Sequence, residues 1–330
     1  MPDVDERTVR SVAVIGLGLI GGSLARRLAP DHDVLGYDAD PATRAAAAEL
    51  GLATADSIVD TVRGRDLVVL AMPLRAYDQV LPVLAGAAGG AVVTDVASVK
   101  AEPLAAARSV LEPAGIRYVG GHPMAGTERS GFAASDPALF DGAAWVLCLE
   151  PDTDLAAWLA VATLVTGFGC RVVPCPAVAH DGAVARVSGL PHLLALALAS
   201  AGAAGGPLAL ALAAGSFRDG TRVAGARPEL FGILCDGNRD ALAAVTDEVL
   251  ALLTGARDAL RSGGTIAPLV TAGRAARQRW AGTGLGGRPS TVDIAAPGGR
   301  AALTALGTTG GHVLGAAGTV LQCWLPATDA

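Results

Sequence analysis

The sequence predicts an α/β fold, with a doubly wound parallel sheet in the first half of the chain and an all-helical domain after it. Two observations predict this. Short β-branched runs alternate with Ala-rich helical stretches through the first half, as in a parallel sheet covered by helices on both faces. Strand patterns then stop at about Pro176, and helical patterns follow to about Trp280. At roughly 150 residues per domain, the 330 residues are enough for two cores.

The strand candidates of the first half are short and apolar, with helices between them. The helices include Leu19–Leu28, Pro41–Leu50 and Glu102–Leu111. The strand candidates are Ser11–Ile15, Val34–Tyr37, Leu67–Ala71, Ala91–Thr94, Arg117–Val119, Ala144–Leu149 and Arg171–Val173.

The domain boundary is expected near Pro174–Pro176, which gives a sheet domain over 1–175 and a helical domain over 176–281. Beyond Gly282 the chain becomes rich in glycine. It then offers a weak strand (Thr291–Ala295), a helix (Arg300–Leu306) and a closing strand (Thr319–Leu325). We expect 282–330 to be a small appendage of unknown role.

Charge and cysteine content exclude several classes of protein. Twenty-five basic residues against 31 acidic ones give a net charge of −6, and the sequence has no Lys/Arg run that could neutralise a nucleic-acid backbone. An anionic small molecule would therefore need a local cluster of arginines. The five cysteines lack the spacing of a zinc site or a disulfide framework, so no metal is expected. Acidic residues precede any apolar run at the N-terminus, which predicts a cytoplasmic protein.

One uncharged stretch, Val187–Phe217, is long enough to cross a membrane. Pro191 and the break at Ala203–Pro207 favour two short helices instead. Helices that are apolar on all sides are usually buried in a core or a subunit interface. We therefore expect no membrane partner and a homodimer formed through the second domain.

A glycine-rich turn follows the first strand and opens the first helix. Backbone N–H groups at such a helix start can face a pyrophosphate. Asp38 ends the second strand, where a carboxylate accepts hydrogen bonds from a ribose 2′-hydroxyl. Because no Arg lies in Ala39–Thr43 to receive a 2′-phosphate, NAD is favoured over NADP. This order of features is typical of a Rossmann-type domain, and the expected cofactor-binding residues are Gly16, Gly18, Leu19, Ile20, Gly21 and Asp38.

Three histidines deserve separate interpretations. His122 follows the strand Arg117–Val119, at the carboxyl end of a sheet strand where open α/β sheets bind ligands. Its imidazole is suited to taking a proton near neutral pH, although packing is the alternative. His180 and His192 lie on the first helices of the second domain, where spacing alone favours a core or capping role. Further along, Ser216–Arg222 carries two arginines, which fits either an anion site or a solvated loop.

Together these motifs resemble the prephenate and arogenate dehydrogenases of tyrosine biosynthesis. The resemblance extends from about Val12 to Trp280, with unrelated motifs in the family's order. The motifs are Gly16–Ser23, Asp95–Lys100, His122–Gly131, Ser188–His192, Phe217–Arg222 and Pro228–Phe231.

The resemblance implies an NAD-dependent enzyme that oxidises a dianionic cyclohexadienol at C4, while loss of CO2 makes the ring aromatic. By position, His122 would accept the proton of the C4 hydroxyl, and Ser98 would orient that histidine. Arg222 would bind a substrate carboxylate and His192 would contact the side chain. Two further residues, Glu128 and Arg218, would join the polar network at the mouth of the site.

Prephenate is the expected substrate, with arogenate or 4-amino-4-deoxyprephenate as alternatives. The side-chain ammonium of arogenate would require an acidic partner near His192, and Ser188–His192 contains none. The family often has His at the position of Gly189 and Trp at the position of Phe231. These two differences affect contacts to the substrate's side chain and weaken the assignment of the substrate. A β-hydroxyacid dehydrogenase would need a lysine in the second half, whereas Lys100 is the chain's only lysine. A non-enzymatic NAD-binding protein would need neither His122 nor an arginine site.

Overall fold

The computed structural model describes residues 9–127, 129–225, 231–282 and 286–327. The chain divides into two compact units. The first consists of Met1–His180 and Gly286–Ala330, and the second of Asp181–Leu285.

A five-stranded parallel sheet begins the first unit, in the order β2-β1-β3-β4-β5. Its three central strands, β1, β3 and β4, are almost wholly buried, because helices cover both faces of such a sheet. The strand order reverses between β1 and β3, the position where open α/β sheets bind ligands. The strands are β1 (Ser11–Ile15), β2 (Asp33–Tyr37), β3 (Leu67–Leu70), β4 (Val92–Asp95) and β5 (Arg117–Val119). The helices are α1 (Leu19–Leu28), α2 (Pro41–Glu49), α3 (Ile58–Val62), α4 (Tyr77–Ala87) and α5 (Ala101–Val110).

A second, mixed sheet completes the unit, in the order β6-β7-β8-β10-β11-β9. The sequence predicts one doubly wound sheet, but its strand candidates divide between two. The separation occurs at Gly120, because the next strand pairs antiparallel with β7 instead of continuing the parallel sheet. Helix α6 (Leu155–Thr166) connects β7 to β8, which run parallel. The strands are β6 (Gly121–Pro123), β7 (Ala144–Cys148), β8 (Arg171–Cys175), β9 (Gly287–Asp293), β10 (His312–Ala317) and β11 (Val320–Pro326).

The C-terminal tail belongs to this sheet, in contrast to the separate appendage expected from the sequence. Strand β10 pairs with β8, and the guanidinium of Arg300 donates to the carbonyl oxygens of Glu150 and Thr153, at 2.7 Å each. Helix α13 (Gly299–Thr308) packs so closely on β8 that a Cβ at Gly307 would lie 1.7 Å from the Pro174 carbonyl oxygen. The tail therefore supports the same sheet that carries β6.

The second unit is helical, as predicted. The division between the units falls within α7 (Ala177–Val184), which continues through a π-helical turn, Ala185–Gly189, into α8 (Leu190–Ala204). Helix α9 begins at Gly206, so the predicted break at Ala203–Pro207 is present. Among the described residues, the buried core of the second unit consists of Ala185, Leu190, Leu242 and Val245. The remaining helices are α9 (Gly206–Ala211), α10 (Gly215–Thr221), α11 (Arg239–Arg261) and α12 (Ala267–Gly282).

Within the described ranges, one helical stretch, Ala177–Ala204, is long and apolar enough to cross a membrane by length and composition alone. Only 17% of its most apolar window is buried in the single chain. Apolar helices of this kind are also typical of subunit interfaces, so composition does not decide between the two.

Candidate active site

The glycine-rich turn between β1 and α1 leaves open backbone at the switch point of the parallel sheet. Gly16 has a φ of +98°, and a Cβ there would lie 2.7 Å from the backbone of Ala71. A Cβ at Gly21 would lie 1.9 Å from the Gly16 carbonyl oxygen, whereas Gly18 has no atom within 4 Å of that position. Helix α1 begins after Gly18 without a side-chain cap, and its first turn contains Leu19 and Ile20. The geometry fits a pyrophosphate.

Asp38 is held at the end of β2 by two backbone donors. Its Oδ2 accepts from the Leu17 N–H at 2.8 Å, and its Oδ1 accepts from the Asp40 N–H at 2.9 Å. Each carboxylate oxygen keeps a second lone pair for a ribose hydroxyl.

Arg44 lies beside this aspartate, immediately after the segment Ala39–Thr43. It donates to the Asp38 carbonyl oxygen at 2.8 Å and forms an ion pair with Asp56 at 3.0 Å. Its guanidinium also lies 5.7 Å from the ring centroid of Tyr37. Arg44 is thus engaged by protein groups, and the Asp38 side chain forms no ion pair with it among the described residues.

Asp95, at the end of β4, is fully buried and is the centre of a polar network. Its Oδ1 accepts from the Tyr118 hydroxyl and the Gly121 N–H, both at 2.8 Å. Its Oδ2 accepts from the Ala97 N–H at 3.0 Å and pairs with Lys100, and neither side chain of the pair is exposed. The Lys100 ammonium also donates to the Gly121 carbonyl oxygen at 2.5 Å.

Lys100 immediately precedes α5, where the helix dipole disfavours a cation, and the buried Asp95 carboxylate compensates its charge. The network joins the loop that contains Ser98 to the strand that contains His122. It therefore fixes the backbone at two predicted site residues.

His122 lies in β6 and is almost completely buried, with 9% of its surface exposed. Its Nδ1 is 2.8 Å from Nε2 of His180, and the two rings meet edge to face. Burial, with smaller contributions from His180 and Lys100, holds the pKa of His122 well below its ordinary value. The ring is therefore neutral near pH 7. Because His180 engages Nδ1, Nε2 is the nitrogen left for a substrate.

Ser98 does not orient His122 in the way that the resemblance implies. Its Oγ is buried and has no hydrogen-bond partner among the described residues. A buried hydroxyl without a hydrogen-bond partner is unusual. A bound cofactor or substrate would supply the missing partner. His180 instead contacts the catalytic candidate. Sequence spacing gave no signal for this pair, because the two histidines are 58 residues apart.

The predicted substrate-binding residues of the second unit are more exposed. His192 is half-buried on α8, with Nδ1 2.8 Å from the Ser188 carbonyl oxygen and its ring 5.8 Å from that of Phe231. Arg222 and Arg218 are exposed at the end of α10, which packs on α8.

Glu128 lies outside the described residues, as does most of the motif Pro228–Phe231. Within the described ranges, no group of three or more His, Cys, Asp or Glu side chains is placed to hold a metal ion.

Two family models match consecutive parts of the chain. The model of the prephenate dehydrogenase nucleotide-binding domain matches residues 20–174, and that of the prephenate dehydrogenase dimerization domain matches residues 176–267. The chain belongs to the prephenate dehydrogenase family.

Individual relatives agree with this assignment. The prephenate dehydrogenase of Bacillus subtilis is 33% identical over 248 residues, which are 72% of this chain and 67% of the relative. A Corynebacterium glutamicum protein, provisionally assigned as a prephenate dehydrogenase, has a crystal structure with a TM-score of 0.85 and 37% identity. That match covers 93% of this chain and 99% of the other. The Aquifex aeolicus prephenate dehydrogenase, solved with hydroxyphenyl propionate and NAD+, has a TM-score of 0.75 and 26% identity, covering 83% and 99%.

These matches confirm the predicted family, the α/β fold class with its Rossmann-type domain, and the enzyme class of NAD-dependent oxidoreductase. They favour prephenate dehydrogenase activity over the arogenate and amino-analogue alternatives. NAD as cofactor agrees with the open turn at Gly18 and with the fixed carboxylate of Asp38.

Proposed function

We propose that the chain catalyses the oxidative decarboxylation of prephenate to 4-hydroxyphenylpyruvate, with His122 as the proton acceptor. The observation that carries this proposal is a buried, neutral imidazole in the nucleotide-binding unit whose Nδ1 is already engaged. A neutral base with one free ring nitrogen is what removal of a hydroxyl proton requires.

In the proposed reaction, Nε2 of His122 takes the proton of the C4 hydroxyl as the C4–H bond breaks. When bound, NAD supplies the acceptor for the hydride. The C4–O bond becomes a carbonyl, and the electron pair of the bond from C1 to the ring carboxylate then moves through the ring to this oxygen. CO2 leaves, and the phenolate oxygen recovers the proton from His122. Atoms and charge balance without a net release of protons.

Ser98 and the arginines are assigned supporting roles in this proposal. The buried Oγ of Ser98 would bond to the nicotinamide amide or to the substrate hydroxyl. Arg222 would bind the ring carboxylate, with Arg218 beside it and His192 near the side chain. Because the net charge of the chain is −6, a dianion depends on such local cations.

We also propose a homodimer formed through the second unit. The matched family model describes a dimerization domain, and the unit exposes many large apolar side chains. Sedimentation equilibrium should give twice the chain mass, and a monomer at micromolar concentration would contradict this. The apolar residues include Val187, Leu194, Leu198, Leu208, Leu210, Leu212, Leu250, Leu252 and Leu253.

A cytoplasmic location without nucleic-acid or membrane partners belongs to the same proposal. It is supported by the acidic net charge and by five cysteines that form no disulfide. Localisation of a tagged full chain would check it, and recovery in a membrane or secreted fraction would contradict it.

The substrate assignment is tested by kcat/KM for prephenate, arogenate and 4-amino-4-deoxyprephenate with NAD, in one buffer at one salt concentration. We expect a clear preference for prephenate and identification of 4-hydroxyphenylpyruvate and CO2 as products. A preference for either amine-bearing substrate would overturn the substrate assignment and leave the hydride transfer in place.

A further inference from the structure

We propose that His180 is a positioning residue that holds His122 in the tautomer with hydrogen on Nδ1. The inference rests on the proposed role of His122 as proton acceptor and deepens it. It is carried by the contact between the two buried rings, with Nδ1 of His122 at 2.8 Å from Nε2 of His180.

The backbone around the pair is fixed by the same sheet. His122 pairs with Val146 across β6 and β7, and β7 pairs in turn with β8, which immediately precedes α7. The N–H of Ala177 at the start of α7 donates to Glu150 Oε1 at 2.7 Å, and the backbone N–H of His180 donates to Pro176 at 3.0 Å. His180 is thus held rigidly against the ring of His122.

The hydrogen bond between the two imidazoles contains one hydrogen, whose position decides the chemistry. If His122 donates from Nδ1, its Nε2 carries the lone pair that accepts the substrate proton. If His180 donates instead, His122 carries hydrogen on Nε2 and cannot accept that proton. Selecting the first arrangement is therefore a condition for the proposed reaction.

The surroundings of His122 explain why an imidazole partner suits the reaction better than a carboxylate. Lys100 faces His122 from the start of α5, its charge is compensated by Asp95, and His180 faces it from α7. A carboxylate in the place of His180 would stabilise the imidazolium and retain the proton, which must return to the phenolate oxygen. The imidazole of His180 orients the ring without adding a carboxylate charge.

Two substitutions at His180 separate positioning from packing. H180Q keeps an acceptor oxygen near the place of Nε2, whereas H180L removes it. V172A, in the buried core of β8, is the matched control for a loss of packing that leaves the pair intact. We expect H180L to lower kcat about 10- to 100-fold with little change in KM, and H180Q to recover most of the loss. V172A should retain kcat.

Nitrogen NMR of [15N]histidine-labelled protein without cofactor gives a readout independent of activity. We expect His122 in the wild type to carry hydrogen on Nδ1 and none on Nε2 near pH 7, and H180L to show a mixture of tautomers. In the pH profile of kcat/KM, H180L should move the acidic limb to higher pH, because the electrostatic effect of His180 on His122 is lost.

The outcomes distinguish this inference from the proposed function. If H180L folds, binds NAD and retains kcat within about twofold with the same tautomer and pH profile, the positioning role is wrong. If H122N itself retains full activity, the proton acceptor is wrongly assigned and the proposed mechanism fails first. If H180L does not fold, H180Q and the NMR of the wild type still decide, since hydrogen on Nε2 of His122 would overturn the inference.

Discussion

The two units of this chain differ in the polar groups that they bury and in the amount of apolar surface that their helices expose. In the first unit, the Asp95–Lys100 ion pair is fully buried and His122 is nearly so. In the second unit, both side chains of the Arg186–Glu248 pair are 55% exposed, whereas Leu208 and Leu212 are 72% exposed. Burial of charge holds polar groups in one geometry, whereas exposed apolar surface of this extent is typical of interaction sites.

The largest expected effect is on the reaction itself, through the buried base of the first unit. H122N should lower kcat about 10²- to 10⁴-fold, because general-base assistance is lost, with the affinity for NAD nearly unchanged. Steady-state kinetics and NAD titration measure both quantities. H32N is the matched control, since His32 lies half-buried at the end of α1, and it should retain full kcat. A wild-type kcat in H122N would show that His122 of the first unit is not the proton acceptor.

The second effect compares the two ion pairs directly. K100M should lower the free energy of unfolding by about 3–5 kcal/mol, because it leaves the Asp95 carboxylate buried and unpaired. R186M removes an exposed pair and should cause no measurable change. Denaturant unfolding of both variants, followed by a probe of each unit, measures the contrast. Equal losses of unfolding free energy in the two variants would show that the buried ion pair matters no more for stability than the exposed one.

The third effect concerns the cations of the second unit. R222A should raise KM for prephenate about 30-fold, roughly 2 kcal/mol, because a charge-assisted bond to the substrate carboxylate is lost. R239A removes an equally charged, exposed side chain of the same unit and should leave KM unchanged. Initial-rate kinetics at saturating NAD measure both. An unchanged KM in R222A would show that another group binds the substrate carboxylate.

The smallest of these effects is on the choice of cofactor. The wild type should prefer NAD over NADP by about 10-fold or more in kcat/KM, since a 2′-phosphate would meet the Asp38 carboxylate. D38A should narrow the ratio, while D31A, an exposed change, should not. If the unmutated protein used both cofactors equally, Asp38 would not lie at the ribose.

The sequence predicted local features well and long-range pairing poorly. Strands β1 and β5 were predicted with their exact bounds, and the glycine turn with Asp38 lies where expected, because both depend on neighbouring residues. The division into two sheets at Gly120 was missed, because a single residue separates β5 from β6 and no turn motif marks it. Strand β10 was missed because its sequence is rich in Gly and Ala.

The candidate site shows the same limit. His122 was identified from its position after a strand, but its partner was not, because contact with His180 depends on how α7 follows β8. The contacts of the Lys100 ammonium with Asp95 and Gly121 depend on the fold in the same way, because Gly121 lies 21 residues further along the chain. Burial also changed the expected chemistry: a solvated histidine titrates near pH 6.5, whereas enclosure holds the pKa of His122 well below that value.

The pH dependence of kcat/KM tests most directly the claim that the first unit holds a neutral buried base. Because the pKa of His122 is lowered, the active neutral form persists as the pH falls past about 6.5, and it is lost only at lower pH. The account predicts a flat profile from about pH 8 through 6.5, an acidic limb below that range, and the disappearance of this limb in H122N. A limb centred at or above pH 6.5, or one that persists in H122N, would contradict the account.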